Sequence, residues 1–278
     1  MVEMGLSLTE LAVLSETKRN LLLLLRDEPK SFEEIKEELS LSTASAFTHT
    51  GKLKKAGLLD IEDSVCSLSD MAKVIVENLK ELMDFMDFFD ENLDYWTTHN
   101  LTPIPSCLLN SIDELGQCEL LKPDAAHLIE IPRAFLENIR ESKRVLAFLS
   151  YFHPETPSLY AGLAKNDVDL SLCLTEKVFE RFSRDFPAET KAIMASGHAK
   201  LLICRENAAL PEVVATDRFM AIRLFEESTK FRNQLIISLD PGALQWGREL
   251  YRHYEKLSDE INGPQQRGKR IEVAAVGK

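Results

Sequence analysis

Residues 15–69 read SETKRNLLLLLRDEPKSFEEIKEELSLSTASAFTHTGKLKKAGLLDIEDSVCSLS, and this stretch decides the architecture of the first part of the chain. Leu21, Leu22, Leu24 and Leu25 would bury much of the circumference of a helix over 16–26, as the central helix of a small bundle does. Asp27, Glu28 and Pro29 end it. Ser31 and Glu34 stand at the S-x-x-E spacing of a capping box, and Phe32, Ile35 and Leu39 recur at three and four residues. That pattern predicts a second, amphipathic helix with Glu33, Glu37 and Glu38 facing water. A turn over 40–42 follows, in which Leu41 plugs the angle between helices and Ser42 caps the next one.

The third helix, over 43–56, places Ala46, Thr50 and Leu53 on an inward stripe, and Ala44, Thr48, Gly51 and Lys55 on the opposite arc. Ser45, Phe47 and Lys52 flank that arc, and no acidic residue occurs between Ser42 and Gly57. A helix that enters the major groove needs such a face: hydroxyls for base edges and phosphates, lysines for phosphates, and no repelling carboxylate. Ser42, Thr43, Ser45, Phe47, Thr48, Lys52 and Lys55 are therefore the candidate DNA-contacting residues, and double-stranded DNA the candidate partner. After the helix-stop Gly57, Leu58–Ile61 and Val65–Leu68 flank a polar tip, Glu62-Asp63-Ser64, which predicts a short hairpin wing. The wing tip is acidic, so deep insertion into the minor groove is not expected. The order helix, helix, helix, hairpin defines a winged helix-turn-helix. The stretch from Ser40 through Ala72 resembles the ArsR-like winged-helix regulators, whose third helix runs into K-x-x-G-L and whose wing ends in L-T-x-x-G. Here those positions read Lys54-Lys55-Ala56-Gly57-Leu58 and Leu68-Ser69-Asp70-Met71-Ala72, with Ala72 in place of the final glycine.

A long helix is predicted from Ser69 to about Phe89, with an apolar stripe formed by Met71, Val74, Ile75, Leu79, Leu82, Met83, Met86 and Phe89. This stripe exceeds what one small winged domain buries, so a homodimer is expected, presenting two recognition helices to neighbouring half-sites. Packing on the chain's own second domain is the alternative.

At 278 residues with 45% apolar content, the chain is long enough for two domains with real cores. A net charge of −12 argues against nonspecific coating of nucleic acid, which needs clustered lysine and arginine, so any DNA contact must be local. The five cysteines, at 66, 107, 118, 173 and 204, form no CxxC and no set with histidine, and their odd number argues against a disulfide framework. Reduced thiols, no secretory start and no apolar run that spans a bilayer make a cytoplasmic protein without membrane contact the expectation. No cofactor, metal or catalytic set is expected, for no glycine-rich phosphate loop, HExxH or GxSxG occurs.

Residues 90–126 read as a helical connector, and Trp96, His99, Leu101, Ile104 and Pro105 within it are followed by Leu108, Leu109, Ile112 and Leu115. On those residues the chain resembles regulators of methanogenic archaea that carry a C-terminal methanogenesis-regulatory domain. The resemblance implies transcription regulation under an effector of undefined identity. From Leu128 helical and extended patterns alternate, which indicates a layered α/β sheet domain over 127–262, and residues 263–278 read as a disordered tail. The fold expected is thus two-domain α/β, with boundaries at 8–89, 90–126 and 127–262.

His198-Ala199-Lys200 is an H-x-K just before an apolar strand. Phospholipase D-like enzymes follow H-x-K with an aspartate at the position held here by Arg205, and the chain has neither a second H-x-K nor a G-S-x-N. A histidine nucleophile needs a partner histidine as general acid, so the pattern resembles catalytically empty phospholipase D-like sensor domains of archaeal regulators. Strand ends line the ligand sites of open α/β sheets, which nominates Tyr151, His153, Thr175, His198, Lys200 and Arg218 for a small effector. Two other functions stand beside the DNA-binding regulator: a phosphodiesterase or nuclease built on His198 and Lys200, and a protein-docking adaptor with an acidic wing.

Overall fold

The computed structural model describes residues 7–123, 128–206, 209–226 and 233–261. The tail expected over 263–278 lies outside the described residues. The chain divides into two compact units, 1–90 and 91–278.

In the first unit a π-helical turn, Glu10–Leu14, buries Leu11 and Ala12 ahead of α1 (Glu16–Leu24), a piece of the core that no periodicity announces. The two-residue strand β1 (Lys30–Ser31) leads into α2 (Phe32–Glu38), where Ser31 and Glu34 form the expected capping box. Ser40, with φ +51°, makes the turn into α3 (Thr43–Lys55), and the Ser42 hydroxyl accepts the Ser45 backbone N–H as its N-cap. Gly57, with φ +74°, ends α3, and Leu58 N–H closes back onto Leu53 O at 2.9 Å. Strands β2 (Leu59–Glu62) and β3 (Val65–Leu68) then form the wing. Asp63 and Ser64 both take positive φ, as the two-residue turn of a twisted hairpin requires, and the register pairs Glu62 with Val65 and Leu59 with Leu68. β1 adds to the other edge of β3, giving the order β1-β3-β2. Leu21, Leu22, Ile35, Leu53, Leu58 and Cys66 fill the core between helices and wing. The last element, α4 (Asp70–Glu91), contributes Ala72 and Val76 to that core and leaves Met71, Val74, Leu82 and Met86 exposed.

The second unit begins with α5 (Leu93–Thr98), α6 (Ser106–Leu109) and a 3₁₀ turn, Ile112–Leu115, before β4 (Cys118–Leu121). There follow α7 (Arg133–Arg140), β5 (Arg144–Leu149), α8 (Thr156–Lys165), β6 (Asp169–Thr175), α9 (Glu176–Asp185), α10 (Pro187–Ala195) and β7 (Ala199–Cys204). The chain closes with β8 (Glu212–Thr216), β9 (Met220–Arg223), β10 (Leu235–Ser238), α11 (Pro241–Lys256) and β11 (Ser258–Glu260). The eight strands form one sheet in the order β11-β7-β6-β5-β8-β9-β10-β4, in which β5, β6 and β7 run parallel and every other pairing is antiparallel. The parallel strands are apolar on both faces, as strands covered by helices must be.

Residues 91–121 differ from the expected connector. They belong to the sheet unit: β4 is its edge strand beside β10, the Trp246 indole N–H donates to Leu108 O at 2.8 Å, and the Tyr254 hydroxyl donates to Pro103 O at 2.7 Å. Trp96 and His99 are buried, with His99 stacked on Tyr95 at 3.9 Å and its Nδ1–H donating to Tyr95 O. The closing helix stops at Lys256, and 258–260 pair with β7 as a further edge strand that the sequence did not announce.

Candidate functional site

On α3 the inward residues are Ala46, Thr50 and Leu53, as the helical period requires. Thr50 satisfies its buried hydroxyl on Ala46 O at 2.7 Å. The opposite arc is open to solvent: Ser42, Thr43, Ala44, Phe47, Thr48, Gly51, Lys52 and Lys55 are exposed, and Ser45 is half-buried. Thr48 hydrogen-bonds back to Ala44 O at 2.7 Å, and Phe47, though 55% exposed, stacks on Phe32 at 4.5 Å and so braces α3 against α2. All seven residues nominated for DNA lie on or beside one helix face that holds hydroxyls and lysines and no carboxylate.

Two residues beside this face escaped the sequence reading. Lys18 of α1 is 7% exposed, and among the described residues its ammonium donates only to the Ser15 hydroxyl, at 3.1 Å. His49 of α3 is half-buried, with Nδ1 buried and without a hydrogen-bond partner among the described residues. Burial, and then the positive charges of Lys18 and Lys52, hold its imidazole below the ordinary histidine pKa. The signal available in the sequence was a lysine inside the leucine-rich helix α1.

The six residues nominated in the second unit separate into two groups. Tyr151 and His153 follow β5, and Thr175 ends β6, so these three lie at the C-terminal end of the parallel strands. His198 and Lys200 lie at the start of β7, and Arg218 stands in the turn from β8 to β9, beyond Thr216, which pairs with Val145 near the start of β5. They therefore occupy the opposite end. His198 is exposed, and its nearest acidic contact is Asp167 at 4.0 Å; Arg218 pairs with Glu141 at 2.8 Å, and Arg205 with Asp259 at 3.1 Å. The two histidines that phosphoryl chemistry needs are not brought together among the described residues.

The C-terminal end holds a cleft of about 840 Å³, lined among the described residues by Leu128, Ile129, Tyr151, Phe152, His153 and Asn233. Beneath it lies a buried ion pair that the sequence reading also missed: Arg223 Nε meets Glu212 Oε2 at 3.1 Å, the side chains 2% and 4% exposed. Burial works against the Arg223 charge, but Glu212 and the neighbouring Tyr151 keep its pKa above the ordinary value. Arg223 also donates to the Asn233 side-chain oxygen, and its guanidinium lies 5.2 Å from the Tyr151 ring centre. The Tyr151 hydroxyl donates to Glu212 at 3.4 Å. The Asn233 amide donates to Leu128 O and Glu130 O, at 3.2 and 2.8 Å, and His153 Nε2–H donates to Ile129 O. His153 Nδ1 accepts the Glu155 N–H at 3.2 Å, which fixes the neutral tautomer. A glutamate opening one apolar strand run and an arginine closing the next, at 212 and 223, were the legible clue.

The described residues contain no cluster of three or more acidic, histidine or cysteine side chains placed to hold a metal, and no helix long and apolar enough to cross a membrane.

These two units define a class: a winged helix-turn-helix joined in one chain to a mixed α/β sheet domain. Residues 128–257, within the second unit, match the family model described as the methanogenesis regulatory protein FilR1, middle domain. The methanogenesis regulatory protein FilR1 of Methanothrix harundinacea (strain 6Ac) is 22% identical over 200 residues, which cover 70% of this chain and 45% of that protein. The match thus spans less than half the length of this curated relative. Among solved structures, TrmBL2, an archaeal chromatin protein, aligns over 92% of this chain and all of that one, with 12% identity and a TM-score of 0.43. Nuc of Salmonella typhimurium, a phospholipase D family member, aligns over 53% of this chain and all of that one, with 14% identity and a TM-score of 0.38.

Proposed function

We propose that the protein is a DNA-binding transcription regulator that grips duplex DNA with α3 and senses a small effector through its sheet domain. The observation that carries this reading is the exposed, carboxylate-free face of α3, on a chain with a net charge of −12. Thr43, Thr48, Lys52 and Lys55 supply donors for base edges and phosphates, and Gly51, with open space at its Cβ position, allows close backbone approach. The family match of residues 128–257 supports a regulatory role. Regulation would come from the cleft beside Tyr151, His153 and Asn233, where an apolar lining meets a few fixed polar groups.

The working form in this reading is a homodimer joined through α4. Met71, Val74, Ile75, Asn78, Leu82, Phe85 and Met86 recur at three- and four-residue spacing on one face of that helix, and four of its apolar members are exposed. Replacing Val74 and Leu82 together by glutamate is expected to convert a dimer to a monomer in sedimentation equilibrium. An unchanged mass would remove α4 from the interface.

Thr48→Ala combined with Lys55→Gln is expected to abolish the salt-dependent, sequence-selective shift of promoter DNA. Unchanged binding by this variant would show that the assigned recognition face is wrong. His198→Ala is expected to leave DNA affinity intact, whereas a phosphodiesterase built on that histidine would lose hydrolysis.

A further inference from the structure

We propose that Lys18, His49 and Lys52 form a seat for one phosphate of the DNA backbone, beside the recognition face and reaching back to α1. The proposal rests on the DNA-binding reading and extends it to two residues outside the nominated set.

Ser45, His49 and Lys52 are spaced four and three residues apart, so they form one row along α3, next to the row of Ala44, Thr48, Gly51 and Lys55. α1 packs against α3, Lys18 is a buried residue of α1, and its charge is felt at His49. The charges felt there are Lys18 from α1 and Lys52 from α3 itself, and no carboxylate of α2 or of the wing is among them. Among the described residues neither lysine forms an ion pair, while Lys30, Lys36, Lys73 and Lys80 of the same unit each do. A nearly buried lysine that has no carboxylate partner among the described residues is an arrangement that folding alone disfavours, because buried charge is ordinarily compensated by an internal partner. Here the compensating anion would come from outside, and the phosphate next to a groove-bound helix carries the right charge.

The seat has a proton linkage. A bound phosphate favours the imidazolium form of His49, so the complex holds that proton more firmly than the free protein does. Affinity therefore rises as pH falls through the interval between the two values, by at most about tenfold per pH unit.

The test uses the full chain and a fluorescein-labelled duplex of mixed sequence, with anisotropy read across salt and pH. Lys52→Gln is expected to flatten the slope of log affinity against log salt by about one, the share of one phosphate contact. His49→Gln is expected to remove the pH dependence, and Lys18→Met to raise the His49 titration midpoint in the free protein, read by NMR. Lys80→Gln, which removes one charge from α4, is expected to leave the slope unchanged. If the unaltered protein binds duplex while Lys52→Gln and His49→Gln keep its slope and its pH profile, the seat is overturned and the DNA reading stands. An equal loss of slope in Lys80→Gln would also overturn it, by showing net charge alone at work. If the unaltered protein fails to bind at the lowest salt, the DNA reading itself fails.

Discussion

Arg223 in the sheet domain and Lys18 in the winged helix are both cations almost out of reach of solvent, 2% and 7% exposed, yet their surroundings are opposite. Arg223 is closed internally by a carboxylate, an amide oxygen and a tyrosine ring. Lys18 has one hydroxyl, and it faces an imidazole that its charge disfavours protonating. The first arrangement belongs to structure, since its charges are spent within the fold and they anchor the backbone of 128–130 through Asn233. The second is incomplete without an external anion. Where a fold leaves positive charge uncompensated, next to a helix face cleared of acids, a polyanion is the partner that completes it.

The largest effect that sharpens this contrast is expected at the closed site. Glu212→Gln removes the carboxylate that the buried Arg223 Nε meets and should cost about 3–5 kcal/mol in urea unfolding. A loss near that of an exposed ion pair would show that Arg223 does not depend on Glu212. Lys18→Met, in the free protein, should cost less than about 1 kcal/mol or stabilise it, because a charge without a carboxylate is being removed. A loss as large as that of Glu212→Gln would break the comparison. Ser42→Ala removes the N-cap that holds the first turn of α3 and should cost about 1 kcal/mol. The smallest effect is a pH dependence at the capping box of α2. The Ser31 backbone N–H and then its hydroxyl hold the Glu34 carboxyl below its ordinary pKa. With the folded value depressed, this contribution is present above the unfolded pKa and is lost as pH falls through the folded one. Glu34→Gln should therefore move the unfolding midpoint at neutral pH and not in strong acid.

Much of the winged unit was legible because its signals are local. The inward stripe of Ala46, Thr50 and Leu53 follows from helical period, and the caps at Ser31 and Ser42 from spacing alone. The alternation of strands and helices after residue 128 was equally readable, since β5 to β7 are apolar runs bounded by turns. What was missed depends on distant partners. β1, β4 and β11 have two to four residues each, too few to show a period, and exist only because an edge is free to pair. Glu212 and Arg223 are eleven residues apart and meet only through the hairpin of β8 and β9. The nominated cleft residues mixed the two ends of the sheet. A side chain at the start of β7 cannot share an end with side chains at or beyond the close of the parallel strands β5 and β6, so chain order already separates His198 and Lys200 from Tyr151, His153 and Thr175.

The central claim is that an acid-free face on α3 lets a negatively charged chain hold a polyanion. Its most direct test is one carboxylate placed in the middle of that face: Thr48→Glu, with duplex affinity measured against salt. The account predicts loss of binding at every salt concentration where the unaltered protein binds, with the unfolding midpoint unchanged. Retained affinity with an unchanged salt slope would contradict it.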